Sequence, residues 1–167
     1  FTRRGLLLAA GAGIGALGAR HLYETQIPPG LPFPAPGAHE TAVLNDAGEL
    51  SPTVVAKHVI MSGNPDEALL AALRAELSEA KSLGRAIAPH AARHSMGGQS
   101  LAKDGLALTF NQEWIEPNAA AKTYRVASGT RWSTVIRELN RIGFSPAVMQ
   151  SNNDFGVAST YSVNAHG

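Results

Sequence analysis

The sequence predicts an α+β domain in which a small sheet packs against helices. Patterns typical of strands alternate with patterns typical of helices between Val54 and Phe144. Hydrophobic residues make up 44% of the chain and charged residues only 16%, which favours a packed core over disorder. Seventeen glycines and ten prolines supply the turns that such an alternation needs.

Composition and charge exclude two classes of function. The net charge is +1 with the histidines neutral, so no overall field attracts nucleic acid, and no nucleic-acid-binding pattern is present. The chain has no cysteine, which excludes disulfides and thiolate chemistry. We therefore expect no nucleic acid partner.

Residues 1–26 are typical of an export signal. Arg3 and Arg4 stand directly before the uncharged stretch Gly5–Ala19, as in a twin-arginine signal. As a helix, this stretch would span about 22 Å, short of a hydrocarbon core of about 30 Å. We expect a periplasmic or otherwise extracytoplasmic protein with no stable membrane span, although an uncleaved signal would anchor it. The alternative is an ordinary amphipathic helix.

A proline-rich linker is predicted for residues 27–53. Five prolines fall between Ile27 and Gly37, a density that excludes helix and central strand. The folded domain is expected to span residues 54–167. Its first strand is predicted at Val54–Ile60, which is rich in β-branched residues.

The first helix has clear start and stop signals. Asn64 is the expected cap, Pro65 suits the first turn, and Glu67 can reach back to the cap. Gly84 is a natural C-terminal stop. Apolar residues between these signals recur at helical spacing: Leu69, Leu70, Leu73, Leu77 and Ala80.

Three more strands and a second helix follow. The strands are predicted at Arg85–Ala88, Leu106–Phe110 and Thr123–Ala127. Thr130 is the expected cap of the second helix, and Gly143 is its expected end. Its apolar face would comprise Trp132, Val135, Ile136, Leu139 and Ile142.

The stretch His90–Ser100 is the first candidate for a binding site. It follows a strand and is rich in small residues, and successive N–H groups in such a turn can form an anion-binding nest suited to a dinucleotide pyrophosphate. A plain surface turn is the alternative. His90 and His94 also have zinc-site spacing, but Ala91 stands where a zinc peptidase needs glutamate and Pro89 disfavours a helix, so we expect no metal.

The stretch Asn152–Gly167 is the second candidate. Asparagine, serine, threonine and glycine crowd together there with little charge. Their amide and hydroxyl groups can solvate a phosphate or a ring edge, and a long uncharged loop of this kind is usually functional or disordered. A polar surface loop is the alternative.

The order of these motifs from Val54 to Gly167 resembles the PCMH-type FAD-binding domain of the vanillyl-alcohol oxidase/p-cresol methylhydroxylase superfamily. Four segments carry the resemblance after the capped helix: Arg93–Gln99, Tyr124–Trp132, Gly143–Pro146 and Phe155–Gly167. Sugar-lactone oxidases, alditol oxidases and cytokinin dehydrogenases are members of that superfamily. The resemblance implies that this chain is an N-terminal piece carrying the first half of such a domain.

The resemblance also implies roles for individual residues. A cradle for the FAD pyrophosphate would comprise Arg93, His94, Ser95, Met96, Gly97, Gly98, Gln99 and Ser100. A second FAD-contacting turn would comprise Gly156, Val157, Ala158, Ser159 and Thr160, and Asn164 to Gly167 would approach from the other side. His94 stands where covalent members attach the flavin 8α-methyl group, with a non-covalent contact as the alternative. Many members have Gly-x-Gly before that histidine, so the different residues here, Ala91-Ala92-Arg93, predict a different loop path.

The implied activity is that of an FAD-dependent oxidase or dehydrogenase acting on alcohol CH–OH groups, with sugars and lactones as candidate substrates. Hydride would pass to flavin N5. The electron acceptor and the catalytic base stay open, because the second FAD-binding half and the substrate domain would follow this chain. Alone, it should bind FAD weakly and turn over nothing. The alternatives are an exported binding or scaffolding domain and, less favoured, a metallohydrolase using His90 and His94.

Overall fold

The computed structural model of the chain describes residues 37–166. The predicted signal segment 1–26 and the proline-rich residues 27–36 lie outside the described residues, as does Gly167. Within the described range, no helix is both long and apolar enough to cross a membrane.

Between residues 37 and 166 the chain forms two small sheets and three helices, which confirms the predicted α+β class. The strands are β1 (Gly37–Leu44), β2 (Thr53–Met61), β3 (Ile87–His90), β4 (Leu106–Phe110), β5 (Ile115–Asn118) and β6 (Thr123–Val126); the helices are α1 (Glu67–Ser82), α2 (Trp132–Asn140) and α3 (Val157–Ser162). The larger sheet has the order β1-β2-β4-β3, in which β1 runs antiparallel to β2 and the other pairs are parallel. Strands β5 and β6 form an antiparallel ribbon.

Helix α1 packs on the larger sheet through an apolar cluster. The buried members come from β2, β4 and the helix: Val59, Met61, Ala80, Leu106 and Leu108. Lys57 strengthens this contact, because its Nζ lies 2.8 Å from Oε2 of both Glu76 and Glu79. Hydrogen bonds from Lys57 to these carboxylates raise the pKa of the lysine and keep it charged although it is buried.

The start of α1 differs from the prediction by two residues. The N-cap is Asp66, whose carboxylate accepts the N–H of Leu69 at 2.9 Å, and not Asn64. Asparagine and aspartate both cap helices well. Asp66 accepts the N–H of the residue three positions later, as an N-cap does, so the helix begins after Asp66. Gly84 adopts φ +62° and ends the helix as predicted.

A second apolar cluster joins α2, α3 and the β5–β6 ribbon. Its buried members are Trp132, Val135, Leu139 and Val157. The Trp132 indole N–H donates to Thr160 Oγ1 at 2.8 Å and so fixes α3 against α2.

The ends of α2 also differ in part from prediction. Thr130 does not cap the helix, because its hydroxyl donates to the Trp114 carbonyl at 3.0 Å and Arg131 takes the N-cap position. Ile142 lies beyond the last helical residue and is 45% exposed. Gly143 adopts φ +79° and marks the predicted stop.

Two strands were not predicted. β1 lies inside the stretch expected to be linker, so the folded part extends to Gly37 at least, and the pairing begins at Gly37↔Ile60. As an edge strand with mostly exposed side chains, β1 needs no apolar pattern. β5 was not predicted from the sequence because it contains Pro117. Proline within a strand is tolerated only at a sheet edge, such as this two-stranded ribbon.

Candidate functional site

A cleft of about 330 Å³ lies between the loop that follows β3 and the start of α3. The β3 side contributes residues from Pro89 to Ser100, and the other side contributes Phe155, Gly156 and Ser159. The two stretches that the sequence singled out therefore meet at one site, although 60 positions separate His94 from Asp154.

Some of the predicted cofactor-binding residues line this cleft, namely Arg93, His94, Ser95, Gln99, Ser100, Gly156 and Ser159. Others lie away from its walls, namely Met96, Gly97, Gly98, Val157, Ala158, Thr160 and Asn164. Met96 is 97% exposed, and Val157 and Thr160 are buried in the packing of α3. Gly167 lies outside the described residues. Contacts between the residues of either group and a cofactor stay predictions.

The anion-binding nest predicted around Gly97 and Gly98 holds a side chain of the protein itself. The N–H groups of these two glycines donate to Asp46 Oδ2 at 3.3 and 3.1 Å, and the N–H of Leu50 donates to Asp46 Oδ1 at 3.3 Å. Burial acts to raise the pKa of Asp46, but these hydrogen bonds lower it overall. The acceptor of these N–H groups is thus a carboxylate that no sequence motif marked, and pyrophosphate binding by this loop stays a prediction.

Arg93 holds the turn at which the resembling family often has glycine. Its φ of +54° lies in the left-handed region, which costs an ordinary residue about 1–2 kcal/mol. Two contacts stabilise this conformation: Arg93 Nε donates to the Asn45 carbonyl at 2.8 Å, and the Arg93 carbonyl accepts the N–H of Ala47 at 3.0 Å. The loop therefore makes a left-handed turn without glycine.

Positive charge collects beside the cleft. Burial, and next the charge of Arg131, lower the pKa of Arg93 from its ordinary value. The two guanidinium groups are therefore close enough to interact. This arrangement suits an anionic ligand.

His94 is held at the cleft by two contacts. Its Nε2 lies 2.7 Å from Asp154 Oδ2, and its ring stacks on Phe155 with centroids 4.6 Å apart. Arg131 NH1 in turn donates to Asp154 Oδ1 at 2.5 Å. The Arg131 side chain is only 5% exposed and that of Asp154 only 14%. The sequence marked His94 individually, whereas Asp154, Phe155 and Arg131 were included only as members of longer segments.

Gly156 allows the two walls of the cleft to approach closely. A Cβ at this position would lie 2.5 Å from the Cβ of Ala91. The backbone of Gly156 forms a β-bridge with Arg131, and the next N–H, of Val157, donates to the Thr130 carbonyl at 2.9 Å. Because Gly156 has no side chain and Ala91 has only a methyl group, the two walls of the cleft can pack this closely.

A buried histidine pair supports the loop from the sheet. Thr109 Oγ1 lies 2.8 Å from His58 Nε2 and 2.7 Å from His90 Nε2, and His90 Nδ1 lies 3.2 Å from the Ser100 carbonyl. That carbonyl can only accept, so His90 carries its hydrogen on Nδ1, Thr109 donates to His90 Nε2, and His58 donates to Thr109. Burial first, and then the charge of Arg93, lower the pKa of His58 to about 4 and that of His90 to about 3.

The two histidines with zinc-site spacing therefore form hydrogen bonds with different partners. His90 bonds Thr109 and Ser100 inside the sheet face, whereas His94 bonds Asp154 at the cleft. Among residues 37–166, no group of three or more histidine, cysteine, aspartate and glutamate side chains is arranged to hold a metal ion.

Comparisons with known proteins point to one family and one fold. A family model described as "FAD binding domain" matches residues 69–167, more than half of the chain. A cholesterol oxidase from Brevibacterium sterolicum has a similar structure, with a TM-score of 0.58, 16% identity and coverage of 82% of this chain. A histidine-to-alanine variant of a cholesterol oxidase from the same organism gives a TM-score of 0.57 at 14% identity and the same coverage.

The similarity to the two oxidase structures covers only part of their length. The chain spans 27% of the length of each of the two oxidase structures. At 14–16% identity, the likeness to them shows the fold alone. A search of curated proteins found no significant match.

Proposed function

This chain belongs to the FAD binding domain family, and from that membership we propose that it forms part of an FAD-dependent oxidoreductase acting on the CH–OH group of an alcohol. The family match, which confirms the resemblance inferred from the sequence, shows FAD as the cofactor. When bound, FAD supplies an acceptor for a hydride at N5. The two solved structures described above are cholesterol oxidases, and cholesterol is an alcohol, which is consistent with this substrate class; sugars and lactones are alternatives within it.

The cleft residues fit part of an FAD molecule. A volume of about 330 Å³ is at the small end of ligand pockets and accommodates only a portion of a dinucleotide. Arg93 brings positive charge, and the hydroxyls of Ser95, Ser100 and Ser159 can donate to cofactor oxygens. We propose that this chain supplies one side of the cofactor cradle and that the rest comes from elsewhere in the full-length protein.

The observation that carries the proposal is the fixed position of His94. Its ring lies at the cleft, within the matched family region, and is held by Asp154 and Phe155. We propose that His94 lies beside the dimethylbenzene edge of the flavin and is covalently joined to its 8α carbon. A neutral imidazole nitrogen is the group that such a bond requires.

Acid precipitation of the full-length protein tests the attachment. We expect flavin fluorescence to stay with the protein band on a denaturing gel and to disappear from the band in His94→Ala. Complete release of flavin into the supernatant from a fully loaded wild-type protein would contradict it. His39→Ala is a suitable control, because this exposed histidine of β1 does not line the cleft.

Anaerobic addition of alcohols tests the proposed activity separately. We expect the flavin absorbance of the loaded full-length protein to bleach with at least one alcohol, sugar or lactone. An FAD-bearing protein whose flavin none of these reduces would favour the alternative, an exported binding or scaffolding domain. Failure of His94 attachment would leave the proposed oxidoreductase activity standing, since FAD can also act without a covalent bond.

Export through the twin-arginine route is proposed from residues outside the described range. Arg3 and Arg4 directly precede an uncharged run, and this route carries folded proteins, which suits an enzyme that binds its cofactor before export. Replacing both arginines with lysine in the full-length protein should trap it inside the cell. Unchanged export would contradict the proposal, and a lysine substitution at Arg20 provides the matched control.

A further inference from the structure

The β1–β2 connection, residues 45–52, holds the loop that follows β3. Asp46 makes its principal contact, because Oδ2 accepts the N–H groups of Gly97 and Gly98 at 3.3 and 3.1 Å. The other oxygen, Oδ1, accepts the N–H of Leu50 at 3.3 Å within the connection itself. Asp46 is only 3% exposed. Both oxygens of this buried carboxylate are therefore used inside the protein.

A second pair of contacts holds the start of the same loop. Arg93 Nε donates to the Asn45 carbonyl at 2.8 Å, and the N–H of Ala47 donates to the Arg93 carbonyl at 3.0 Å. The neighbours of Asp46 thus hold the loop at one point, and Asp46 holds it four and five positions later. Two of the residues between these points, within 94–96, line the cleft, as does Arg93.

The glycine N–H groups serve the protein's own carboxylate and lie away from the cleft. Neither Gly97 nor Gly98 is part of the cleft walls. A Cβ on Gly98 would lie 3.1 Å from the Cβ of Ser51, so the β1–β2 connection packs directly against this turn. A turn of this kind can bind a phosphate, but here a phosphate would first have to displace Asp46.

We infer that Asp46 is a positioning residue for the cofactor cleft: its carboxylate stays on the two glycine N–H groups when FAD binds and holds residues 93–95 in the geometry that the cofactor needs. This inference rests on the proposed binding of FAD at the cleft. It goes beyond that proposal because it gives a role to a residue outside the cleft and assigns the glycine turn to an anion of the protein itself.

The three N–H groups need a carboxylate and not just any polar side chain. An ionised carboxylate accepts on both oxygens, whereas asparagine has one acceptor oxygen and one NH₂ group. In Asp46→Asn the NH₂ group would face either the glycines or Leu50. A buried donor would then lack an acceptor, and the remaining bonds would lose the strength that the negative charge provides.

FAD titration into the full-length apoprotein distinguishes positioning from competition. It is done in a His94→Ala background, in which the proposed covalent bond cannot form. We expect Asp46→Asn to bind FAD about tenfold more weakly, the order expected for loss of a hydrogen bond to a charged group. Unchanged affinity would overturn the inference, and so would tighter binding, which would mean that Asp46 competes with the pyrophosphate. Glu49→Gln, at an exposed position of the same connection, should bind FAD as its parent does.

Rescue by a small carboxylate separates positioning from a general loss of stability. Asp46→Ala leaves a space of about the size of formate beside the three N–H groups. We expect sodium formate, compared with sodium chloride at the same concentration, to restore at least part of the lost FAD affinity. Formate should leave Glu49→Ala unchanged. An Asp46→Ala variant that does not respond to formate would overturn the inference.

Trypsin cleavage after Arg93 reports the order of the loop without the cofactor. In the absence of FAD, we expect this bond to be cut faster in Asp46→Ala than in the parent, and formate to slow the cut. Equal rates would overturn the inference. If no variant binds FAD, parent included, the proposed function fails, and the cleavage rates still decide whether Asp46 orders the loop.

The wild-type protein decides the question if neither Asp46 variant folds. We expect a crystal structure of the full-length protein with FAD to keep Asp46 Oδ2 within hydrogen-bond distance of the N–H groups of Gly97 and Gly98. A pyrophosphate oxygen in the place of that carboxylate would overturn the inference.

Discussion

Acidification should destabilise the fold through the buried pair His58 and His90. Both are less than a tenth exposed, and His90 Nε2 can accept the Thr109 hydroxyl only while that histidine is neutral. Burial lowers the pKa of His58 to about 4 and that of His90 to about 3. In the unfolded chain each histidine has an ordinary pKa of about 6.5.

These pKa values determine the direction and the size of the change in the free energy of unfolding. Below pH 6.5 the unfolded chain takes up protons that the folded protein does not bind, so each such proton lowers the free energy of unfolding. The stabilisation is fully present above pH 6.5 and is lost as the pH falls towards 4 and then 3. At pH 5 each histidine accounts for a loss of about 2 kcal/mol, or about 4 kcal/mol for the pair.

Urea unfolding of the full-length protein between pH 7.5 and pH 5 measures this loss. His58→Gln keeps a donor towards Thr109 but cannot titrate, so its loss over this range should be smaller than that of the wild type by about 2 kcal/mol. His39→Gln, at an exposed position on β1, should keep most of the wild-type dependence. Wild type and His58→Gln with the same pH dependence would refute the reasoning.

Two further substitutions probe the walls of the cleft. Gly156→Ala places a Cβ 2.5 Å from that of Ala91, so it should lower the free energy of unfolding in urea by about 1–3 kcal/mol and weaken FAD retention. Gly48→Ala is the control because its Cβ would make only ordinary contacts, and equal stability of the two variants would contradict the close approach. Thr160→Val removes the acceptor of the buried Trp132 indole N–H and should cost about 1–3 kcal/mol; wild-type stability would show that this bond does not hold α3.

The elements with strong periodic patterns could be predicted from the sequence. β4 occupies the predicted residues, β2 extends the predicted strand by one residue at each end, and Gly84 and Gly143 end their helices as expected. These segments are buried on one or both faces, so the packing that stabilises them leaves a mark in the order of apolar residues. β1 and β5 are edge strands with mostly exposed side chains and leave no such mark.

Part of the lining of the candidate cleft could be predicted from the sequence, but the hydrogen bonds that organise it could not. The histidine-serine pair and the glycines drew attention to residues 93–100, and the structure places His94, Ser95 and Ser100 at the cleft. The acceptors that organise this loop come from far along the chain: Asp46 lies 52 positions from Gly98, and Asp154 lies 60 positions from His94. Such pairs follow from tertiary packing, which no local spacing encodes.

A crystal structure of the full-length protein with FAD tests the central claim most directly, namely that the cleft beside His94 holds the cofactor. We predict flavin density in the cleft, with the dimethylbenzene edge against the His94 ring and the Asp154 carboxylate on the far nitrogen of that ring. FAD bound without contact to His94, Phe155 or Gly156 would contradict the account.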